Sequence, residues 1–275
     1  MHRRRQLTLD LALILSIPLL LVALHYGVAP ATRNQFVFDH DQIALVDMYA
    51  ANFLHLDDAH LRGNLLGYVA AIAPTWALYA VDDEHRRFRR TLAGFVLGLP
   101  LLISLGDYLV FRYAFEATAN SATRGFSGIV SALFGWLFVA TVALVWRDVD
   151  AQRAIYTALT IVLGILGGIV LLSGIATPAI LGALGVGVVL SATGFVPWET
   201  VRSGGLLDAA REHWTLIQLV AYAGLALLLI VPGLFPVDWI GEGSVTNIFG
   251  HAVGFGLGVV ISVSCHALSP ALRQN

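Results

Sequence analysis

Lysine is absent from this 275-residue sequence, and all 16 basic residues are arginine. Charge of either sign is scarce, at 12% of residues, and the formal net charge is −2. No basic face is left to follow a phosphate backbone, so nucleic acid is excluded as a partner. The single cysteine, Cys265, rules out an intramolecular disulfide and leaves no cysteine cluster for a metal. Lying in an apolar stretch, it reads as inert packing. Also missing are an internal repeat and a separable soluble domain. What the chain has instead is apolar surface: 57% hydrophobic residues and a mean hydropathy of +0.77. A chain of this composition takes the lipid bilayer as its solvent.

Apolar runs long enough to cross a bilayer fall near residues 7–28, 61–81, 91–111, 127–146, 154–173, 176–196, 215–232 and 247–268. The first follows Met1-His2-Arg3-Arg4-Arg5, as in a signal peptide, but it is about twice the length of a signal core and is read as a retained helix. Gly174 and Pro178 split what would otherwise be one helix too long for any membrane. The expected fold is all-α: a polytopic transmembrane helix bundle of about eight spans, forming a single integral membrane domain over 1–275. Under that count 12 arginines fall on one side and 4 (Arg33, Arg62, Arg112 and Arg124) on the other. The arginine-rich side should be cytoplasmic, which places both termini in the cytoplasm of a multi-pass cell-membrane protein. His25, Trp76 and Tyr79 are expected to mark interfaces. The long outer loop, 29–59, carries Phe36, Phe38, Ile43, Tyr49 and Phe53 and has the character of a segment lying on the membrane surface.

Polar residues at membrane depth are costly, so each one asks for a reason. His60 and Asn64 are four apart at the start of the second run and share a helical face. Ser127 opens the nucleophile helix, 127–146, within Gly125-Phe126-Ser127-Gly128, and His251 lies one turn into the histidine helix, 247–268. Counting spans puts all four near the outer leaflet. Together they fit acyl transfer: a serine hydroxyl attacks once a neutral imidazole accepts its proton, and the same ring later protonates the leaving amine. His60, Asn64 and the Ser127 backbone N–H are candidate donors to the oxyanion. Ser127, Ser131 and Gly135 on one helix, and Gly254 and Gly258 on the other, are small enough to let two helices cross closely.

These segments, RGFSGIVSALFGW, GHAVGFGLG and HLRGN, resemble the rhomboid family of intramembrane serine proteases. That family carries a Gly-x-Ser-Gly segment, a later His-x2-Gly-x3-Gly segment and a His-x3-Asn pair. The resemblance covers about residues 50–146 and 245–262. It implies a Ser127/His251 dyad, oxyanion donors at His60 and Asn64, and supporting roles for Gly125, Gly128, His55, Gly254 and Gly258. It also implies transmembrane protein substrates cleaved near the membrane surface, with neither metal nor organic cofactor required. Three departures stand out. An extra helical hairpin lies between the serine and histidine helices, Ser131 occupies a position that is often aromatic, and the first outer loop lacks the usual Trp-Arg pair. Oligomeric state is left open.

Two other readings stand beside it. A catalytically inactive rhomboid-like protein that binds and routes membrane helices is motivated by Ser131 and the extra hairpin. A small-solute transporter rests on Asp107, Pro178 and the glycine-rich fifth and sixth runs, although Asp107 is expected to pair with Arg112 or Arg124.

Overall fold

The computed structural model describes residues 2–113, 122–195, 205, 208, 210–211, 213–234, 240–241, 244–245 and 247–267. The architecture is that of an all-helical membrane bundle. The helices are α1 (His2–Gly27), α2 (Pro30–Arg33), α3 (Leu45–Ala50), α4 (Asp58–Val81), α5 (His85–Tyr113), α6 (Ser127–Asp148), α7 (Ala151–Leu172), α8 (Pro178–Phe195), α9 (Trp214–Leu234) and α10 (Ile248–Ala267). Among the described residues, 6 helices are long and apolar enough to cross a membrane: α1, α4, α5, α6, α7 and α10. The apolar stretches of α8 and α9, Pro178–Gly194 and Trp214–Leu229, are shorter.

Helix ends follow from capping chemistry. Asp57 stands just before α4 and accepts from the His60 N–H at 2.8 Å, and Asp150 does the same for α7 with the Arg153 N–H at 2.7 Å. Gly174, at φ +71°, lies in the turn after α7, and Pro178 opens α8. Inside α1, Pro18 has no N–H, so the Ile14 carbonyl has no helical donor. Tyr68 of α4 fills that role, its hydroxyl donating to Ile14 O at 2.9 Å.

The chain divides into two compact units, Met1–Trp136 with Asp238–Asn275, and Leu137–Val237. The first is held by aromatic packing and by buried charge. Trp136 is fully buried between Tyr79, Phe88 and Phe95, and its indole N–H donates to the Tyr79 hydroxyl at 2.9 Å. Asp10, on α1, is fully buried and accepts from His85 Nδ1 at 2.5 Å, Arg89 at 2.5 Å and the Trp76 indole at 3.0 Å. A carboxyl group buried this way persists because both of its oxygens find donors. At the other end of α1, Arg33 donates to His25 Nδ1 at 2.5 Å, and His25 Nε2 lies 2.9 Å from Asp58. Since arginine only donates and carboxylate only accepts, Nδ1 of His25 is the acceptor in this chain and Nε2 the donor. His25, Trp76 and Tyr79 each hydrogen-bond a partner within the first unit. Cys265, read as packing, is exposed.

In the second unit α7, α8 and α9 pack through small residues. Gly194 sits against the Tyr156 ring, Gly187 against Leu163 and Gly164 against Leu228. Thr160 Oγ1 donates to Ser191 Oγ at 2.9 Å.

Candidate active site

All the residues singled out for chemistry lie in the first unit. The chain enters α6 through Gly125, whose φ is +125° and whose N–H donates to Ala51 O at 2.9 Å. Glycine is required there twice over. The backbone conformation disfavours any side chain, and a Cβ would meet His60 Nε2 at 2.5 Å and Cε1 at 2.6 Å, with Asn64 Nδ2 at 3.7 Å. So the His60/Asn64 face of α4 packs directly on the backbone two residues ahead of Ser127. The segment is anchored on its far side as well. Phe38 and Asp39, in the segment between α2 and α3, pair antiparallel with Thr123 and Ala122. Phe126 is fully buried, with Phe53 and Tyr68 at ring distances of 5.8 and 6.3 Å.

Ser127 is the first residue of α6 and His251 lies in the first turn of α10, with His251 Nε2 2.9 Å from Ser127 Oγ. That approach depends on backbone touching backbone. A Cβ at Gly254 would overlap the Gly128 carbonyl, one at Gly258 the Ala132 carbonyl, and one at Gly135 the Phe255 carbonyl, with Val259 N at 2.9 Å. The stripe on α6 that meets α10 is therefore Gly128, Ala132 and Gly135, one residue round from the expected face through Ser131. Ser131 is fully buried and its hydroxyl donates to the Ser127 backbone carbonyl at 2.8 Å.

Donors converge beside the serine. Asn64 is 5% exposed and its Nδ2 has no hydrogen-bond partner, a cost in a resting protein but an unspent donor for an incoming oxygen. At the start of α6 the first N–H groups lack helical acceptors, and the helix dipole favours negative charge. His55 lies just before α4, 1% exposed, with its ring 5.2 Å from that of His60 and both ring nitrogens unpartnered. Burial above all, with His60, His25 and Arg33 adding repulsion, pushes its pKa down to about 3. It is held as a neutral ring beneath His60, while its carbonyl accepts from Arg33 at 3.1 Å.

A cavity opens beside the dyad, between Ser127, Gly128 and His251 on one side and Ser104 and Asp107 of α5 on the other. Asp107 does not pair with either arginine as expected: Arg112 lies 3.9 Å from Asp41 and Arg124 donates to Asn34 at 2.7 Å. Asp107 instead faces the start of α10, where its Oδ1 and the Asn247 Nδ2 each lie 2.7 Å from where a Cβ of Gly250 would stand. Asn247 caps α10, accepting from the Gly250 N–H at 2.8 Å. Comparison with family models, curated proteins and solved structures finds no match to this chain.

Chemically, the arrangement offers a hydroxyl in contact with an imidazole, a cavity that both line, and an unpaired Asn64 amide packed near Gly125, two residues ahead of the serine. Five contributors escaped the sequence reading. Asn247 was legible as an asparagine just ahead of an apolar run, the ordinary mark of a helix start. Asp10 carried the same signal as Asp107, an acid at membrane depth. Asn52 and Ser104, which bond each other at 3.0 Å in the cavity wall, and Arg33 gave no sign of their partners, which are distant in sequence.

Proposed function

We propose that this chain is a rhomboid-type intramembrane serine endopeptidase that cleaves transmembrane or membrane-proximal segments of other membrane proteins. The observation that carries the reading is the 2.9 Å approach of His251 Nε2 to Ser127 Oγ, at the ends of two apolar helices that cross backbone to backbone. His251 takes the Ser127 proton as Oγ attacks the scissile carbonyl. The developing oxyanion is met by Asn64, His60 and the Ser127 N–H, and His251 returns the proton to the leaving amine. Water, activated by the same ring, then hydrolyses the acyl-enzyme. Preorganised donors of this kind contribute about 10²–10³-fold each.

In this reading the chain crosses the membrane eight times, with both termini in the cytoplasm of the cell membrane and the dyad near the outer leaflet. The three helices between α6 and α10 are the family's usual single helix plus one added hairpin. An odd number returns α10 to the face from which α6 starts, so the added hairpin leaves the depth of His251 unchanged.

The test is fluorophosphonate labelling of detergent-solubilised protein, with cleavage of a helical reporter, in wild type and Ser127→Ala. Labelling and cleavage that both require Ser127 support the reading, and their absence from the wild type sinks it. A non-catalytic helix-binding protein is the second reading, favoured by the burial of Ser131 against the Ser127 carbonyl where an aromatic ring is common. In that case Ser127→Ala would leave the cellular effect unchanged.

A further inference from the structure

We propose that the cavity beside Ser127 receives the substrate side chain next to the scissile bond, and that Asp107 makes it select side chains bearing a hydrogen-bond donor, hydroxyl or ammonium. This rests on the protease reading and adds a substrate class to it. The argument begins with the polar groups that line the cavity. Asn52 Nδ2 donates to Met48 O at 2.7 Å and to Ser104 Oγ at 3.0 Å, and Ser104 Oγ donates to Met48 O at 2.7 Å, so that wall is internally satisfied. Asp107 is different. It is 5% exposed, and its Oδ1 is the one buried side-chain atom among the described lining residues that has no hydrogen-bond partner.

Position ties that oxygen to the reacting atoms. Asp107 Oδ1 lies 2.7 Å from where a Cβ of Gly250 would stand, and Gly250 immediately precedes His251. One turn earlier on α5, Ile103 packs where a Cβ of Gly128 would stand, and Gly128 immediately follows Ser127. A side chain leaving the acyl carbon held at Ser127 therefore faces α5 between Ile103 and Asp107. A carboxylate oxygen without a donor at this depth is expensive, and the cavity is the route by which a donor arrives. The discrimination that follows is asymmetric: a substrate that brings a donor satisfies Asp107, and one that brings none fills the cavity and leaves it unpaired.

The experiment compares helical reporters differing only at the residue on the acyl side of the cleaved bond, in the pairs Ser against Ala, Thr against Val and Lys against Met. They are cleaved by wild type, Asp107→Leu and Asp107→Asn, each first shown to label with fluorophosphonate. Wild type is expected to favour the donor in at least one pair by about tenfold or more, and Asp107→Leu to bring that pair within about twofold. Asp107→Asn keeps an acceptor but no charge, so loss of the Lys preference alone assigns the subsite to cations, and retained Ser or Thr preference assigns it to hydroxyls. A wild type without preference, or variants that slow every reporter in proportion, overturns the proposal and reduces Asp107 to a brace for Asn247. Should Asp107→Leu fail to label, Asp107→Asn decides by the same ratios. Failure of wild type to label at Ser127 would instead remove the protease reading itself.

Discussion

Adding one methyl group at Gly254 should disable the dyad while leaving the bundle folded. A Cβ there would overlap the Gly128 carbonyl oxygen, with the carbonyl carbon at 3.0 Å and the α-carbon at 3.3 Å. All three atoms are backbone, so no side chain can rotate away, and relief requires α6 and α10 to part by roughly 1 Å at the crossing. Gly254 is three residues from His251 and Gly128 is next to Ser127, so most of that separation reaches the 2.9 Å contact. A misplacement of about 1 Å costs on the order of 10²-fold in rate, or about 2.7 kcal/mol of activation free energy. Gly258→Ala, one turn farther along α10, should cost less. Gly256→Ala is the matched control, because among the described residues nothing outside its own helix backbone and chain neighbours lies within 4 Å of its added Cβ. The assay is reporter cleavage and fluorophosphonate labelling rate, read beside thermal unfolding in detergent. Equal rates for Gly254→Ala and Gly256→Ala would refute the argument that backbone contact sets the dyad geometry.

Other expectations follow from the same packing. Asn64→Ala should lower kcat by about 10²–10³-fold with little loss of stability, since its Nδ2 has no partner at rest; a large fall in the unfolding midpoint would show that Asn64 is structural. Asp10→Ala strands Arg89 and His85 and should lower stability by about 3 kcal/mol, which melting in detergent will reveal. Stability should also fall on acidification. His40, pushed down to about 4 chiefly by burial, and His55, pushed down to about 3, have folded values below the ordinary 6.5, so the unfolded chain takes up their protons first. Their contribution is complete above about pH 6.5 and is lost as pH drops toward the folded values, at about 1.4 kcal/mol per unit per proton. Unfolding midpoints from neutral to about pH 5 should slope downward in wild type and flatten in His40→Gln, His55→Gln or their combination; a flat wild-type profile would contradict this.

Much of this was legible beforehand because membrane chemistry penalises polar atoms so strongly. Runs of apolar residues announced every long helix, and the turn at Gly174 and Pro178 had to break a segment that no bilayer accommodates. The same penalty made Ser127, His251, His60 and Asn64 conspicuous. What escaped were pairings between distant residues. Spacing reveals that Asp107 is an unusual acid, but not that Asn247, 140 positions later (247 − 107), meets it at Gly250. Nor does a step of four along α6 distinguish the face through Ser131 from the neighbouring one through Gly128 and Ala132, since both are lined with small residues. Only the glycines of α10, fitted against particular carbonyls, make that choice.

The ties along α1 bear on how a helical substrate would gain access. Under the proposed protease reading, the bundle opens sideways to admit a substrate helix, and an opening needs a helix that can swing. α1 is fastened at Asp10 near one end, at Ile14 by the Tyr68 hydroxyl, and at His25 by Asp58 and Arg33 near the other. Swinging it outward would strip a buried carboxylate of its donors and unseat a buried arginine in the same motion. Under that reading α1 is a doorpost, and the door hangs on another flank of the bundle.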